Sequence, residues 1–207
     1  MTSNRRRKWG TEMGRCAEVA RTTRETDIRV VVDLDGQGTT SIETGVPFFD
    51  HMLEAFGKHG LFDLEVRAKG DLEVDAHHTV EDVGICVGEA LSQALGDKAG
   101  ISRFGSAAVP MDEALVLAAV DISGRGQLHY AVDVRIELIG SFDTTLAKEF
   151  LVALATNAGM TLHVRSLAGE NAHHVIEAAF KAVARALAQA VALDPRVAGV
   201  PSTKGTL

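Results

Sequence analysis

Cysteine is scarce, at two residues, and neither Cys16 nor Cys86 has a Cys-x-x-Cys partner. That excludes a thiolate zinc site and a disulfide framework; Cys86, inside an apolar periodic stretch, reads as a helix core residue. Long apolar runs are missing. Nothing approaches the roughly 20 consecutive apolar residues of a membrane span, and no segment has the layout of a signal peptide, so the expectation is a cytoplasmic protein with no membrane partner. Positive charge is also in short supply: 21 Lys and Arg face 28 Asp and Glu, for a formal net charge of -7, which argues against nonspecific nucleic-acid binding. The one basic run, Arg5-Arg6-Arg7-Lys8, lies in an aperiodic stretch. Residues 1–20 therefore read as a solvated, disordered tail, with Met13 a second candidate start.

What the chain does have is enough length, 207 residues, for a sizeable core, and a pattern that occurs twice. Valine-rich residues 28–34 read as a strand, Asp35-Gly36-Gln37-Gly38 as a hairpin turn, and residues 39–43 as the return strand. Pro47 suits the first turn of a helix carrying Met52, Leu53 and Phe56 inward and stopping near Gly57 or Gly60. Residues 61–68 alternate as a strand, and residues 79–95 form a helix with Val80, Val83, Val87, Leu91 and Leu95 on one side. The second half repeats the order: strand 114–122, turn 123–126, strand 127–138, a helix from near Asp143, strand 160–166, and a helix over residues 174–193. The predicted fold class is α+β, an internally duplicated half-domain of strand-strand-helix-strand-helix with sheets packed against helices. Residues 21–100 and 101–195 are the halves of one catalytic domain, and residues 196–207 form a C-terminal tail. Leu64-Glu65-Val66-Arg67 falls on Leu162-His163-Val164-Arg165 at an offset of 98 (162 − 64), and Leu53, Ala55 and Phe56 fall on Leu151, Ala153 and Leu154 without a gap.

Each half opens its last helix with the same element, His77-His78-Thr79-Val80-Glu81 and His173-His174-Val175-Ile176-Glu177. A histidine and a glutamate four apart share a helix face, so His77 with Glu81, and His173 with Glu177, can reach one ion. The second histidine of each pair is rotated by about 100° and points elsewhere. At the offset of 98 (149 − 51), His51 falls on Glu149. The pattern therefore predicts two ligand sets: His77, Glu81, His173 and Glu177 for one ion, and His78, His174, His51 and Glu149 for the other. Imidazole and carboxylate without sulfur suit manganese(II), iron(II), cobalt(II) or zinc. His59, His129 and His163 lack such support and read as structural histidines of strands or loops.

Basic residues beside glycine or on the last helix are candidates for a phosphate dianion: Arg103, Arg125, Lys181 and the Pro201-Ser202-Thr203-Lys204-Gly205 run. Asp33-Leu34-Asp35-Gly36 resembles the nucleophile motif of haloacid-dehalogenase-type phosphatases, but that motif needs a following helix, and residues 39–43 read as a strand. A dinuclear phosphate-ester hydrolase and a metal-storage shell are rival classes. The first needs a metal-bridged water and no substrate imidazole; the second needs no phosphate-binding arginines.

Arg21-Thr22-Thr23-Arg24-Glu25-Thr26, Leu34-Asp35-Gly36, the run from Thr44 through His51 to Leu53, both His-His elements, Arg103-Phe104-Gly105, Pro110-Met111-Asp112-Glu113, Ser123-Gly124-Arg125, Leu162-His163-Val164, Phe180-Lys181-Ala182 and Pro201 to Gly205 together resemble the imidazoleglycerol-phosphate dehydratase family, in its monofunctional form, from about residue 21 to 207. The resemblance implies a lyase of histidine biosynthesis converting D-erythro-imidazole-glycerol phosphate to imidazole-acetol phosphate and water. It also implies two manganese(II) ions per active site, which favour a substrate imidazolate and a diazafulvene intermediate, and a homo-oligomer of 24 subunits with sites where subunits meet. It assigns Glu25 the general acid/base role and substrate contact, and gives the phosphate to Arg103, Arg125, Lys181, Ser202, Thr203 and Lys204, which makes the C-terminal tail substrate-binding. Glu149 departs from the family, where histidine is usual, as does Gly126, where proline is common.

Overall fold

A computed structural model describes residues 14–207. The first half runs β1 (Cys16–Thr22), β2 (Thr26–Asp33), β3 (Thr40–Glu43), α1 (Pro47–Gly60), β4 (Asp63–Gly70) and α2 (His77–Leu95). The second runs β5 (Phe104–Met111), β6 (Ala114–Asp121), β7 (Gln127–Ala131), a short β8 (Leu138–Ile139) and β9 (Phe142–Asp143) pair, α3 (Leu146–Ala158), β10 (Thr161–Ala168) and α4 (Ala172–Val191). The two large sheets have matching orders, β1-β2-β4-β3 and β5-β6-β10-β7. In both, the third strand lies parallel to the fourth while the other pairs are antiparallel.

Each sheet turns one face to the helices. Ile28, Val30 and Val32 of β2, and Ala114, Val116, Ala118 and Val120 of β6, are buried at every second position, as period-2 alternation requires for a half-buried strand. Helix α2 packs on the first sheet and α4 on the second, and between the sheets α1 packs against α4 and α2 against α3. The first helix of each half thus rests on the second helix of the other. The α2–α3 contact is very close. A Cβ on Gly84 would lie 2.8 Å from the Phe150 carbonyl oxygen, and one on Gly88 would lie 2.8 Å from that of Leu154.

Several elements differ from those read in the sequence. Residues 16–20 are not a disordered tail but part of β1, which pairs with β2 along its whole length; Arg5-Arg6-Arg7-Lys8 and Met13 lie outside the described residues. Strand β5 is likewise additional. Both are edge strands, and their mixed composition, Gly105 and Pro110 in β5 included, lacks an apolar strand signal. Gly105 is required where it stands, because a Cβ there would lie 1.9 Å from the Ala186 carbonyl oxygen of α4. The hairpin of residues 28–43 is also corrected: β2 pairs with β4, and β3 joins the far side of β4 in parallel. Asp33-Leu34-Asp35-Gly36 remains a turn with no helix after it, and Asp35 is paired with Arg15 at 2.5 Å. Strand β7 stops at Ala131 instead of running to residue 138, and α3 starts at Leu146 rather than near Asp143. Cys86 is fully buried in α2, as its place in the periodic pattern predicts.

Candidate active site

Helices α1 and α4 meet at a cluster of three metal-competent side chains. His51 Nε2 and His173 Nε2 lie 3.3 Å and 3.1 Å from the same oxygen, Glu177 Oε2. The other carboxylate oxygen faces Lys181 Nζ at 2.6 Å. Helix spacing explains His173, Glu177 and Lys181, which repeat every four residues on one face. Phe48 closes on the His173 ring edge, with centroids 5.2 Å apart. Burial works to raise the Glu177 pKa, but the Lys181 ammonium and His51 outweigh it and the net shift is downward, which keeps the carboxylate ionised. Two imidazole nitrogens facing one carboxylate oxygen repel unless protons or a cation lie among them. The donor set, two nitrogens and an oxygen within 4.8 Å of one another, fits a borderline divalent ion.

The structure's grouping differs from the one read in the sequence. His51 joins His173 and Glu177, and among the described residues this is the one group of three that converges as ligands. In the other half, His77 Nε2 and Glu81 Oε2 stand 3.8 Å apart on α2, and Glu149 is half-buried in the first turn of α3. His78 and His174 join neither group. His78 Nδ1 faces Asp71 at 3.0 Å, and His174 Nδ1 faces Glu113 at 2.8 Å. Both imidazole pKa values are raised, chiefly by those hydrogen bonds, and Glu113 is pulled down to about 2 by His174 and by backbone N–H groups.

Glu25 sits at the β1–β2 turn with its carboxylate 3.9 Å from His78 Nδ1. The turn is fixed to α2 through Asp82, which accepts from Arg21 Nε at 3.1 Å and from Thr26 Oγ1 at 2.5 Å. This is a physical reason for Arg21, Thr26 and Asp82 that the spacing of residues alone did not supply. Asp71 and Glu113, which partner His78 and His174, are not among the residues the sequence reading singles out for the site. Their only signal was a place beside recognisable motifs, since a loop carboxylate has no periodicity to betray it.

The phosphate candidates fall into two places. Lys181 stands with the metal-competent cluster, in an open cavity of about 290 Å³ whose walls include His51, Lys58 and His59. His59 lies in the last turn of α1, not in a strand or loop, and its pKa is lowered by burial and by the Lys181 and Arg185 charges. His129 and His163 are on strands β7 and β10 with rings stacked at 4.2 Å. Arg103 instead pairs with Asp121 at 2.7 Å and donates to the Pro201 carbonyl at 2.9 Å. It thereby holds the segment carrying Ser202, Thr203 and Lys204. The same chain end reaches the turn that bears Arg125, where Leu207 abuts Gly124. The Arg103 N–H bonds to Ala190 O, 13 residues beyond Glu177 on α4 (190 − 177). At 1.5 Å per residue the two places are about 20 Å apart.

A double-sheet, four-helix fold with an imidazole and carboxylate cluster between its halves defines a candidate metalloenzyme. The family model for imidazoleglycerol-phosphate dehydratase matches residues 44–187. The chain is 60% identical to the imidazoleglycerol-phosphate dehydratase of Moorella thermoacetica, over 94% of this chain and 100% of that one. It is 58% identical to that of Symbiobacterium thermophilum over 100% of both. Among solved structures, the Staphylococcus aureus enzyme superposes with a TM-score of 0.79 at 38% identity, covering 86% of this chain and 99% of that one. The Pyrococcus furiosus enzyme, in complex with (S)-C348, gives 0.78 at 43% identity over 91% and 100%. The chain belongs to the imidazoleglycerol-phosphate dehydratase family. It is a hydro-lyase with the family's dehydratase role in histidine biosynthesis. Among the described residues no helix is long and apolar enough to cross a membrane.

Proposed function

We propose that this chain dehydrates D-erythro-imidazole-glycerol phosphate to imidazole-acetol phosphate and water, in the cytoplasm, using two manganese(II) ions per site. The observation that carries this reading is the convergence of His51, His173 and Glu177 around one point beside Lys181. These three side chains hold one ion. Their counterparts in the repeated order, Glu149, His77 and Glu81, hold the other, because α3 meets α2 as α1 meets α4. When bound, such ions would supply Lewis acidity to the substrate's imidazole nitrogens.

The chain's own residues do the rest. Glu25, on the turn that Asp82 ties to α2 through Arg21 and Thr26, takes and delivers protons at the reacting carbons. Lys181 keeps Glu177 ionised. Arg103, Arg125, Ser202, Thr203 and Lys204 hold the phosphate and so place the reacting carbon. The separation of about 20 Å along α4 is too long for one small substrate to bridge the His51, His173 and Glu177 cluster and the Arg103 segment in one chain. This supports sites shared between copies, with His78 and His174 completing the metal coordination across the contacts, in an assembly of 24 subunits. The test is turnover by purified, manganese-loaded protein. Ketone formed from imidazole-glycerol phosphate is the expected result; release of inorganic phosphate without ketone would make the chain a hydrolase and overturn the reading.

A further inference from the structure

Strand pairing supplies a register between the halves that the sequence offset does not. Val32 and Val120 stand opposite Leu64 and Leu162, and Ala17 and Gly105 stand opposite Val32 and Val120. The β1–β2 and β5–β6 hairpins therefore correspond at an offset of 88 (120 − 32). On that register Glu113 is the counterpart of Glu25 (113 − 88).

The two hairpin carboxylates treat their histidines differently. Glu113 reaches His174 Nδ1 at 2.8 Å through Oε2, and its Oε1 accepts from the backbone N–H groups of Glu170 at 3.2 Å and Asn171 at 2.9 Å. Glu25 stops 3.9 Å short of His78 Nδ1. There Asp71 takes the ring nitrogen instead, with its two oxygens at 3.0 Å and 3.2 Å. The Asp71 N–H bonds to the Glu25 carbonyl at 3.1 Å, so the substitute is tied to the hairpin it replaces. At the far side of the His174 ring, Nε2 faces the exposed Asp112 carboxylate at 3.6 Å.

A neutral imidazole carries one N–H, and a carboxylate against Nδ1 draws it there and leaves the Nε2 lone pair bare. Carboxylates placed this way raise ligand basicity and fix ring orientation in metal sites. We propose that Asp71 and Glu113 are positioning residues that hold His78 and His174 as Nδ1–H tautomers with Nε2 free to bind a metal ion. Asp71 takes over from Glu25, which leaves the Glu25 carboxylate free for proton transfer. The proposal rests on reading His78 and His174 as metal ligands and Glu25 as the acid/base.

Magic-angle-spinning NMR of metal-free, ¹⁵N-histidine-labelled protein, at alkaline pH where the rings are neutral, reads the tautomers without any metal. In the parent, both rings should carry the proton on Nδ1. Asp71→Ala should mix the tautomers of His78 alone, and Glu113→Ala those of His174 alone. Asp71→Asn, whose amide oxygen still accepts from Nδ1–H, should keep the parent tautomer and rule out a folding defect. Manganese affinity should fall about 10- to 100-fold in each alanine variant. Nε2–H rings in the parent, or tautomers unmoved by either alanine substitution, would overturn the positioning role. Tautomers that shift while affinity holds, in these variants and in His78→Ala and His174→Ala, would instead overturn the metal-ligand reading on which the proposal rests.

Discussion

His51 Nε2 lies 3.3 Å from Glu177 Oε2 although 126 positions separate the two residues in the chain. The contact exists because α1 of the first half packs on α4 of the second. This cluster is thus built across the halves, and under the proposed function the same crossing carries over to Glu149 of α3 with His77 and Glu81 of α2. Two variants should separate the ions. Glu177→Gln should weaken one manganese ion by more than the roughly 10- to 100-fold typical of losing a group that only supports a ligand, leaving the other in place. Glu149→Ala should do the reverse, while Glu149→His should keep both ions and most activity. Metal stoichiometry by elemental analysis, after dialysis against graded chelator, decides between them. Loss of the same ion in Glu177→Gln and Glu149→Ala would refute the crossed assignment.

Lys204 offers a cleaner test of the phosphate site than Arg103. The Arg103 guanidinium also carries the Asp121 pair and the Pro201 carbonyl, so its removal loosens the whole chain end, whereas Lys204 is exposed. Lys204→Ala should raise KM with kcat largely kept, by the roughly 1.5–3 kcal/mol of a lost charge-assisted hydrogen bond, about 10- to 150-fold. Inorganic phosphate should compete less well with substrate in the variant than in the parent. Equal competition in both would return Lys204 to the surface.

Much of this was legible in the sequence because it is periodic. The spacing from His173 through Glu177 to Lys181 places three functional groups on one helix face, and alternation marks β2, β6 and β10. The crossing of the halves was not legible. Helix periodicity says which face is buried but not which helix covers it, so the sequence grouping put His51 with His78 and His174. Edge strands β1 and β5 escaped because one face of each meets solvent and their side chains are mixed or small. The hairpin expected at Asp35-Gly36 failed for a related reason. Turn chemistry fixes where the chain bends, while the partner of β3 was decided by β4, whose Val66 and Leu64 are buried from both sides of the pairing.

Gly84 shows tertiary packing overriding helix propensity. In an exposed helix, alanine for glycine stabilises by about 0.8–1 kcal/mol. Here the added Cβ would lie 2.8 Å from both the Phe150 carbonyl oxygen and the Ala153 Cβ, so α2 and α3 must separate, at a cost of about 1–3 kcal/mol. Gly84→Ala should therefore lower Tm, by about 2–4 °C for each net kcal/mol in a chain of this size. Because α2 carries His77 and α3 carries Glu149, manganese affinity should fall with it. A Tm equal to or above that of the parent would show that the helix interface yields without strain.

Alkaline pH should destabilise the fold through a buried thiol and a half-buried phenol. Burial, with the Glu89 and Asp82 carboxylates adding to it, pushes the Cys86 thiol from its ordinary 9.0 up to about 12, and burial pushes Tyr130 from 10.0 up to about 12. Both folded values lie above the unfolded ones. Their contribution to stability is therefore complete below the unfolded pKa and is lost as pH rises towards the folded value, because the unfolded chain releases these protons first. The window opens near pH 9.0 for Cys86 and near pH 10.0 for Tyr130. Cys86→Ala should lower Tm at neutral pH by leaving a cavity, yet show a shallower fall in Tm above pH 9.0, where the thiol of the unfolded parent titrates while the folded one does not. Tyr130→Phe should flatten only the later part of the curve. Thermal unfolding monitored by circular dichroism across this range checks both, and parallel Tm curves for parent and Cys86→Ala would show that the thiol contributes nothing to the alkaline limb.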